Sequence, residues 1–323
     1  MVHLWWQNEF HSNAKFAILI AQLHDKVRHT GEQMTIKQIL ESKRTLLSFE
    51  VFPPKKQANF DSVVSSAREL CALKPDFMSI TYGAGGTTRE NTVEVAAKIL
   101  ESGVPALAHL TCVGNTLASA REACARMKEA GIENVLALRG DIPEDFTGGL
   151  DPALQHADEL ARIVKGEGFC IGGACYPEGH PESENRMRDI DNLKRKVDAG
   201  VDFLTTQMFF DNNMLYAYLY RLQAAGIHVP VFAGIMPITN SSQVVKMVKL
   251  SSAYIPPKLL SICDRFESCP AAMAQAGIAY ATDQIVDLVS NGIRGVHIYT
   301  MNKPQVASAL HKATSEIFRA VNG

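Results

Sequence analysis

Long hydrophobic runs are missing from this chain of 323 residues, and none approaches the ~20 apolar residues that a bilayer-crossing helix needs. The longest near the start, Phe16-Ala-Ile-Leu-Ile-Ala21, lacks a basic stretch before it and a small-residue cleavage signal after it. Its spacing (Phe16, Leu19, Ile20, Leu23, Val27) fits an amphipathic helix instead. An excess of charge is missing too. Lysine and arginine number 32 against 34 acidic residues, a net charge of −2, which argues against a protein held to nucleic acid by a basic field. Paired cysteines are absent: the seven (Cys71, Cys112, Cys124, Cys170, Cys175, Cys263, Cys269) are odd in number, scattered and without Cys-x-x-Cys. That pattern suggests neither a disulfide framework nor a zinc site and points to buried thiols in a reducing, cytoplasmic setting. No three His, Cys or carboxylate residues show metal-ligand spacing, so no metal is expected.

What is present is a globular composition, 46% hydrophobic and 20% charged. Residues 1–33 stand apart. They hold both tryptophans and four of the ten histidines, fit no repeating unit, and precede a second methionine, Met34, so they read as an N-terminal extension. Beyond them, β-rich apolar runs at 46–52, 77–83, 105–112, 134–141, 170–177, 203–210, 229–237 and 295–302 alternate with segments of helical period. Asp151-Pro152 resembles a helix start, Asn115 can cap the helix before it, and Gly103, Gly131, Gly200, Gly226 and Gly292 sit where helices should end. Strands that are apolar at consecutive positions are covered on both faces, as in parallel sheets. Eight such units predict a single α/β domain over residues 34–323, a (β/α)8 TIM barrel. A doubly wound open sheet is the alternative. The first strand, however, leads into Pro53-Pro54 and not into Gly-x-Gly-x-x-Gly.

Barrel chemistry sits at the C-terminal ends of the strands, and here those ends are polar: Glu50, Thr81, His109, Arg139-Gly140-Asp141, Tyr176, Gln207, and Tyr299 to Lys303. Glu50 lies among apolar neighbours in Ser48-Phe-Glu-Val-Phe-Pro-Pro54, where burial disfavours its charged form and suits it to general-acid work near neutral pH. An exposed edge position or a structural ion pair is the other reading. Asp141 reads as a charged site residue or a loop cap, and Gln207 as a reader of an amide-like heterocycle edge or a satisfied core amide. The glycine-rich Tyr82-Gly-Ala-Gly-Gly-Thr-Thr88 offers backbone amides to a phosphate or forms a tight turn. Beyond Tyr176 and His180, Asp189, Asn192 and Lys196 fall on one helix face, with Arg195 beside them. They make a diphosphate and ribose site or a solvated face, with Asp191 and Arg195 as a possible i, i+4 pair. His109 and His297 also fit as ordinary core histidines.

Read together, the strand ends carry a resemblance. The Glu50 and Tyr82 segments, Ala108-His-Leu-Thr-Cys112, Leu138-Arg-Gly-Asp141, Tyr176-Pro-Glu-Gly-His180, Asp191-Asn-Leu-Lys-Arg-Lys196, Thr206-Gln-Met-Phe-Phe-Asp211 and His297-Ile-Tyr-Thr-Met-Asn302 resemble, in order, the bacterial-type methylenetetrahydrofolate reductases over about residues 34–321. That likeness implies a flavoprotein barrel that uses FAD and NADH or NADPH to reduce 5,10-methylenetetrahydrofolate to 5-methyltetrahydrofolate by ping-pong kinetics. It implies that Glu50 protonates the folate's bridging nitrogen, that Asp141 lies near the flavin and stabilises a folate cation, and that Gln207 holds the pterin. Thr81, His109, Arg139, Gly140, Asp141, Tyr176, His180, Asp189, Asn192, Arg195 and Lys196 match positions that hold FAD. Met247 falls where the family often has a phenylalanine packing on either substrate, and Lys303 where arginine is usual for the folate's carboxylate tail. A homo-oligomer is expected. Three alternative roles are a folate-side subunit fed by an electron-transfer partner, a pterin methyltransferase, and a non-catalytic folate- or flavin-binding module.

Overall fold

Eight parallel strands close on themselves in chain order in the computed structural model, which describes residues 34–54, 57–82, 86–142, 149–244, 247 and 253–323. They are β1 (Leu46–Val51), β2 (Phe77–Ile80), β3 (Ala106–Thr111), β4 (Asn134–Leu138), β5 (Cys170–Cys175), β6 (Phe203–Thr206), β7 (Val231–Ile235) and β8 (Gly295–Tyr299). β1 pairs with β2 on one side and β8 on the other, so no sheet edge is left and the open-sheet alternative falls. All eight expected strands are there, each shorter than its apolar run. Two of those runs continue past the ladder because Met208, Phe210 and Met236 are buried against helices and not in the sheet. The expected extension, residues 1–33, and the glycines at 83–85 lie outside the described residues.

Helices cover the barrel: α1 (Ile36–Ser42), α2 (Phe60–Cys71), α3 (Gly86–Glu101), α4 (Leu117–Glu129), α5 (Ala157–Gly166), α6 (Arg186–Asp198), α7 (Asn212–Ala224), α8 (Pro257–Phe266), α9 (Pro270–Ser290) and α10 (Pro304–Asn322). The five glycines expected at helix ends all have positive φ, between 72° and 109°. Two expected caps differ. α5 starts at Ala157 with His156 before it, and Asp151 instead accepts hydrogen bonds from the Ala153 and Leu117 amides. Thr116, in a reciprocal box with Ser119, caps α4, while the Asn115 amide donates back to the Thr111 carbonyl. In both places a side chain with two competing local partners took the loop and not the cap.

α1 closes the N-terminal end of the barrel. Thr35 and Gln38 form its capping box, and Ile36, Ile39 and Leu40 pack on Leu46, Phe77, Leu107, Leu136, Phe203 and Phe232. The Asn134 side chain at the foot of β4 accepts the Ile36 amide at 2.8 Å, tying this plug to the sheet. Phe77, Phe203 and Phe232 meet at 5.3–6.3 Å, tilted or edge-on, as aromatic rings prefer. A Cβ on Gly295 would lie 2.1 Å from the Phe232 ring, so only glycine admits that ring. With this end filled, open space is left at the C-terminal end.

Candidate active site

A cavity of about 790 Å³ lies at that C-terminal end, within the size range of cofactor pockets. Of the fifteen candidate residues, all but Lys303 line it: Glu50, Thr81, His109, Arg139, Gly140, Asp141, Tyr176, His180, Asp189, Asn192, Arg195, Lys196, Gln207 and Met247. Lys303 is exposed at the N-cap of α10 and does not line the cavity.

Glu50 is 6% exposed. Its register partners are Ser79 on β2 and Tyr299 on β8, both of which also line the cavity. The edge reading therefore fails, and so does an ion pair with lysine or arginine. Its charged-group neighbours among the described residues are two imidazoles, His109 Nε2 at 3.7 Å and His297 Nε2 at 3.6 Å from Oε2. Each ring is held by a serine: Ser79 Oγ lies 2.5 Å from His109 Nε2, and Ser48 Oγ lies 2.8 Å from His297 Nδ1. Burial pushes His109 down to about 4, outweighing the opposing pull of Glu50, so this ring is neutral at physiological pH. The Tyr299 hydroxyl donates to the Thr206 carbonyl at 2.7 Å, and burial, with Glu50 adding to it, keeps the phenol protonated. Sequence reading missed Ser48, Ser79 and the placement of His297 beside Glu50. The signal was there in parity, since Ser48 and Glu50 two apart in one strand must face the same side.

The neutral His109 gives a stability prediction. Its native-state proton affinity is below the unfolded value, so the unfolded chain takes up a proton first as pH falls from about 6.5 to about 4. Stability present above pH 6.5 is lost across that window, by up to roughly 3 kcal/mol at 1.36 kcal/mol per pK unit. Urea midpoints of His109→Gln should fall less steeply over this range than those of the parent; equal slopes would refute the assignment.

The opposite wall is built by α6 and the loop before it. Asp189 is buried and accepts from Ser183 Oγ at 3.1 Å. Arg195 donates to Asn192 Oδ1 at 2.8 Å, which replaces the Asp191 pairing expected from spacing. Lys196 runs along β5, where Gly173 leaves room for its stem; a Cβ there would lie 3.2 Å from Lys196 Cδ. Its ammonium donates to the Ala174 carbonyl at 2.8 Å, and burial pushes its proton affinity down. Arg139 forms a two-pronged pair with Glu182, and His180 Nδ1 accepts the Glu182 amide at 3.1 Å. Tyr176 meets His180 edge-on at 4.5 Å, and burial pushes its phenol up to about 12. Gly140, at φ +85°, brings bare backbone to the cavity where a Cβ would crowd Thr111 at 3.1 Å. Asp141 follows it, exposed at the cavity mouth. Gln207 Oε1 accepts the Met208 amide at 2.9 Å. Met208, Met236 and the buried Met247 complete an apolar, thioether-rich wall.

The family model described as methylenetetrahydrofolate reductase matches residues 35–315. A 5,10-methylenetetrahydrofolate reductase of Pectobacterium carotovorum subsp. carotovorum is 33% identical over 285 residues, covering 87% of this chain and 95% of that one. One from Escherichia coli (strain K12) is 33% identical, with 82% and 88% covered. A methylenetetrahydrofolate reductase (NADH) 1 of Arabidopsis thaliana is also 33% identical, but the chain spans 48% of that longer relative. Among solved structures, a protein from Clostridium thermocellum described as binding two copies of 5-methyl-5,6,7,8-tetrahydrofolic acid superimposes at a TM-score of 0.60 with 13% identity, covering 88% of this chain and 99% of that one. At that identity the likeness is one of fold.

Proposed function

The chain belongs to the methylenetetrahydrofolate reductase family, and from that premise we propose that its barrel cavity binds FAD and reduces 5,10-methylenetetrahydrofolate to 5-methyltetrahydrofolate at the expense of NADH. The observation that carries this reading is that Glu50 and the cationic face of α6 open onto one cavity.

The residues present fit a diphosphate-bearing cofactor. Lys196 has three ammonium donors, and among the described residues its one hydrogen bond is to a neutral carbonyl. Asp189 and Asp158 act on its charge without a hydrogen bond to it, so the ammonium keeps donors for a further anion. Lys196 and Arg195 would face the diphosphate, Asp189 and Asn192 the ribose. Arg139, Gly140, Tyr176, His180, Thr81 and His109 would frame the ring system. When bound, FAD supplies the two-electron chemistry that links nicotinamide to folate.

The protein's own part is position and charge. Glu50 holds a proton on a carboxyl oxygen. It delivers that proton to the folate's bridging nitrogen, so that the ring C–N bond opens and an iminium cation forms. Asp141 supplies a fixed negative charge that stabilises this cation. Gln207 presents an amide to the pterin edge. The methionine wall accepts either flat substrate in turn, which makes the kinetics ping-pong.

Asp141→Asn is expected to slow the folate half-reaction more than the nicotinamide half-reaction, measured separately by stopped flow; the opposite bias removes Asp141 from this role. The reading as a whole is tested by a visible spectrum of the purified protein and anaerobic mixing with NADH and with NADPH. A colourless protein that takes up no added flavin overturns it. A yellow protein reduced by dithionite but by neither nicotinamide would assign its electrons to a partner protein.

A further inference from the structure

Glu182 has no part in the function as stated, yet it lines the cavity and grips Arg139 with both carboxylate oxygens. Nη1 of the guanidinium donates to Oε2, and Nη2 donates to Oε1 at 2.8 Å. Exposed ion pairs usually hold little, but a two-pronged arginine–carboxylate fork is the exception, because it fixes the plane of both groups. Arg139 Nε is taken as well, by the Gly140 carbonyl at 3.1 Å.

The backbone that carries Glu182 is itself tied down. Its amide donates to His180 Nδ1 at 3.1 Å, and the Ser183 amide donates to the His180 carbonyl at 3.0 Å. The Ser183 hydroxyl donates to Asp189 at 3.1 Å. The carboxylate is therefore presented from a fixed turn after β5, and its hydrogen bond to Arg139 holds its proton affinity below the usual carboxylate range.

Two carboxylates compete for the Arg139 charge. Glu182 touches it, whereas Asp141, two residues along the chain, acts on it through space without a hydrogen bond. The outcome matters because Asp141 has the task of supplying a fixed negative charge, and a guanidinium folded onto it would cancel that charge. We propose that Glu182 is a positioning residue that holds Arg139 off Asp141 and so leaves the Asp141 charge free to act on the flavin and the folate cation. The inference rests on the role given to Asp141 above. Two further titratable groups act on this pair, Tyr176 on Arg139 and His180 on Glu182. Burial keeps the Tyr176 phenol protonated and lowers the proton affinity of His180, so neither supplies a rival charge.

The test is a double-mutant cycle read by the midpoint potential of the bound flavin and by the rate of the folate half-reaction. The Glu182 side chain is 61% exposed, so Glu182→Gln leaves the fold intact. Its neutral amide no longer holds Arg139, which turns to Asp141. A negative charge beside a ring that gains electrons lowers its potential, so cancelling that charge raises it. The expected change is about tenfold in the affinity for reduced over oxidised flavin, about 30 mV upward for a two-electron couple, with folate reduction slowed about tenfold. In an Asp141→Asn background the same substitution should alter either reading by less than about twofold, because no charge is left to cancel. Equal shifts in both backgrounds would mean that Glu182 acts by its own charge alone, and no upward shift in the parent background would mean that it does not steer Arg139. Each result overturns the inference. Asp141→Asn by itself separates the two levels. If it leaves both readings as in the parent, the charge role falls and this inference with it, whereas a shifted Asp141→Asn beside an unmoved Glu182→Gln defeats this inference alone.

Discussion

Replacing Glu50 by glutamine is expected to lower the folate half-reaction by about 10²–10⁴-fold, the usual loss when a positioned general acid is removed. At 1.36 kcal/mol per tenfold this is roughly 3–5 kcal/mol of barrier. The amide has nearly the shape of the carboxyl group it replaces, and two of its neighbours are neutral: His109 carries no charge at physiological pH, and Tyr299 stays a phenol. No lysine or arginine among the described residues pairs with Glu50, so none loses a counter-charge when the carboxyl goes. Fold and flavin content should therefore survive. What goes is the proton, since an amide has none to give. Oxidation of nicotinamide needs no acid at that position and should continue, so the variant should become reduced and stay reduced when folate is added. Rapid-mixing spectra of the two halves measure this directly. A folate rate equal to the parent's would show that the proton comes from elsewhere.

The barrel was legible because its signals are redundant. Eight apolar runs, five glycines at helix ends and the lack of a dinucleotide fingerprint after β1 all point to one closed sheet. Strand ends were less legible, because hydrophobicity reports burial and not hydrogen bonding. Met208 and Phe210 are as buried as the strand before them yet belong to a cluster formed with Met236, Met247, Leu259 and Met273. Those partners lie in the long excursion between β7 and β8, which no eightfold pattern foresees. There α9 packs so closely on the chain after β7 that a Cβ on Gly277 would sit 1.7 Å from the Ile238 carbonyl oxygen.

The site was legible at residues whose type is costly in its setting. A glutamate inside a strand and an Arg-Gly-Asp at a strand end each break the local pattern, and both line the cavity. Serines and histidines inside strands break no pattern. Ser48, Ser79 and His297 pass as core residues until the register shows what they face. Spacing also failed to choose between equal partners. Asp191 and Asn192 are both within reach of Arg195, and the structure selects Asn192. Lys303 shows the limit of transfer by position: it stands where the family's arginine is usual, yet its side chain is exposed beside the cavity and not in its lining.

Lys196→Met should weaken FAD binding by about ten- to a hundredfold while leaving the flavin-free protein as stable as the parent or more so. The two halves of this expectation have one cause. Lys196 is desolvated, and burial lowers its proton affinity, so the native state resists the charge that the unfolded chain carries freely. Below its unfolded pKa the folded protein therefore bears a cost that the unfolded chain does not. Methionine keeps most of the stem packed over Gly173 and removes that cost, although the Ala174 carbonyl loses its donor, worth about 1 kcal/mol. Replacing buried charge with an apolar side chain is commonly neutral or stabilising. The cofactor, by contrast, loses a charge-assisted hydrogen bond of about 1.5–3 kcal/mol, which gives the fold-change above. Urea midpoints of the flavin-free protein and flavin titrations of the same preparation measure the two effects independently. A variant that binds flavin as tightly as the parent would mean that Lys196 does not face the cofactor. A large loss of stability without flavin would mean that Asp189 and Asp158 already compensate its charge within the fold.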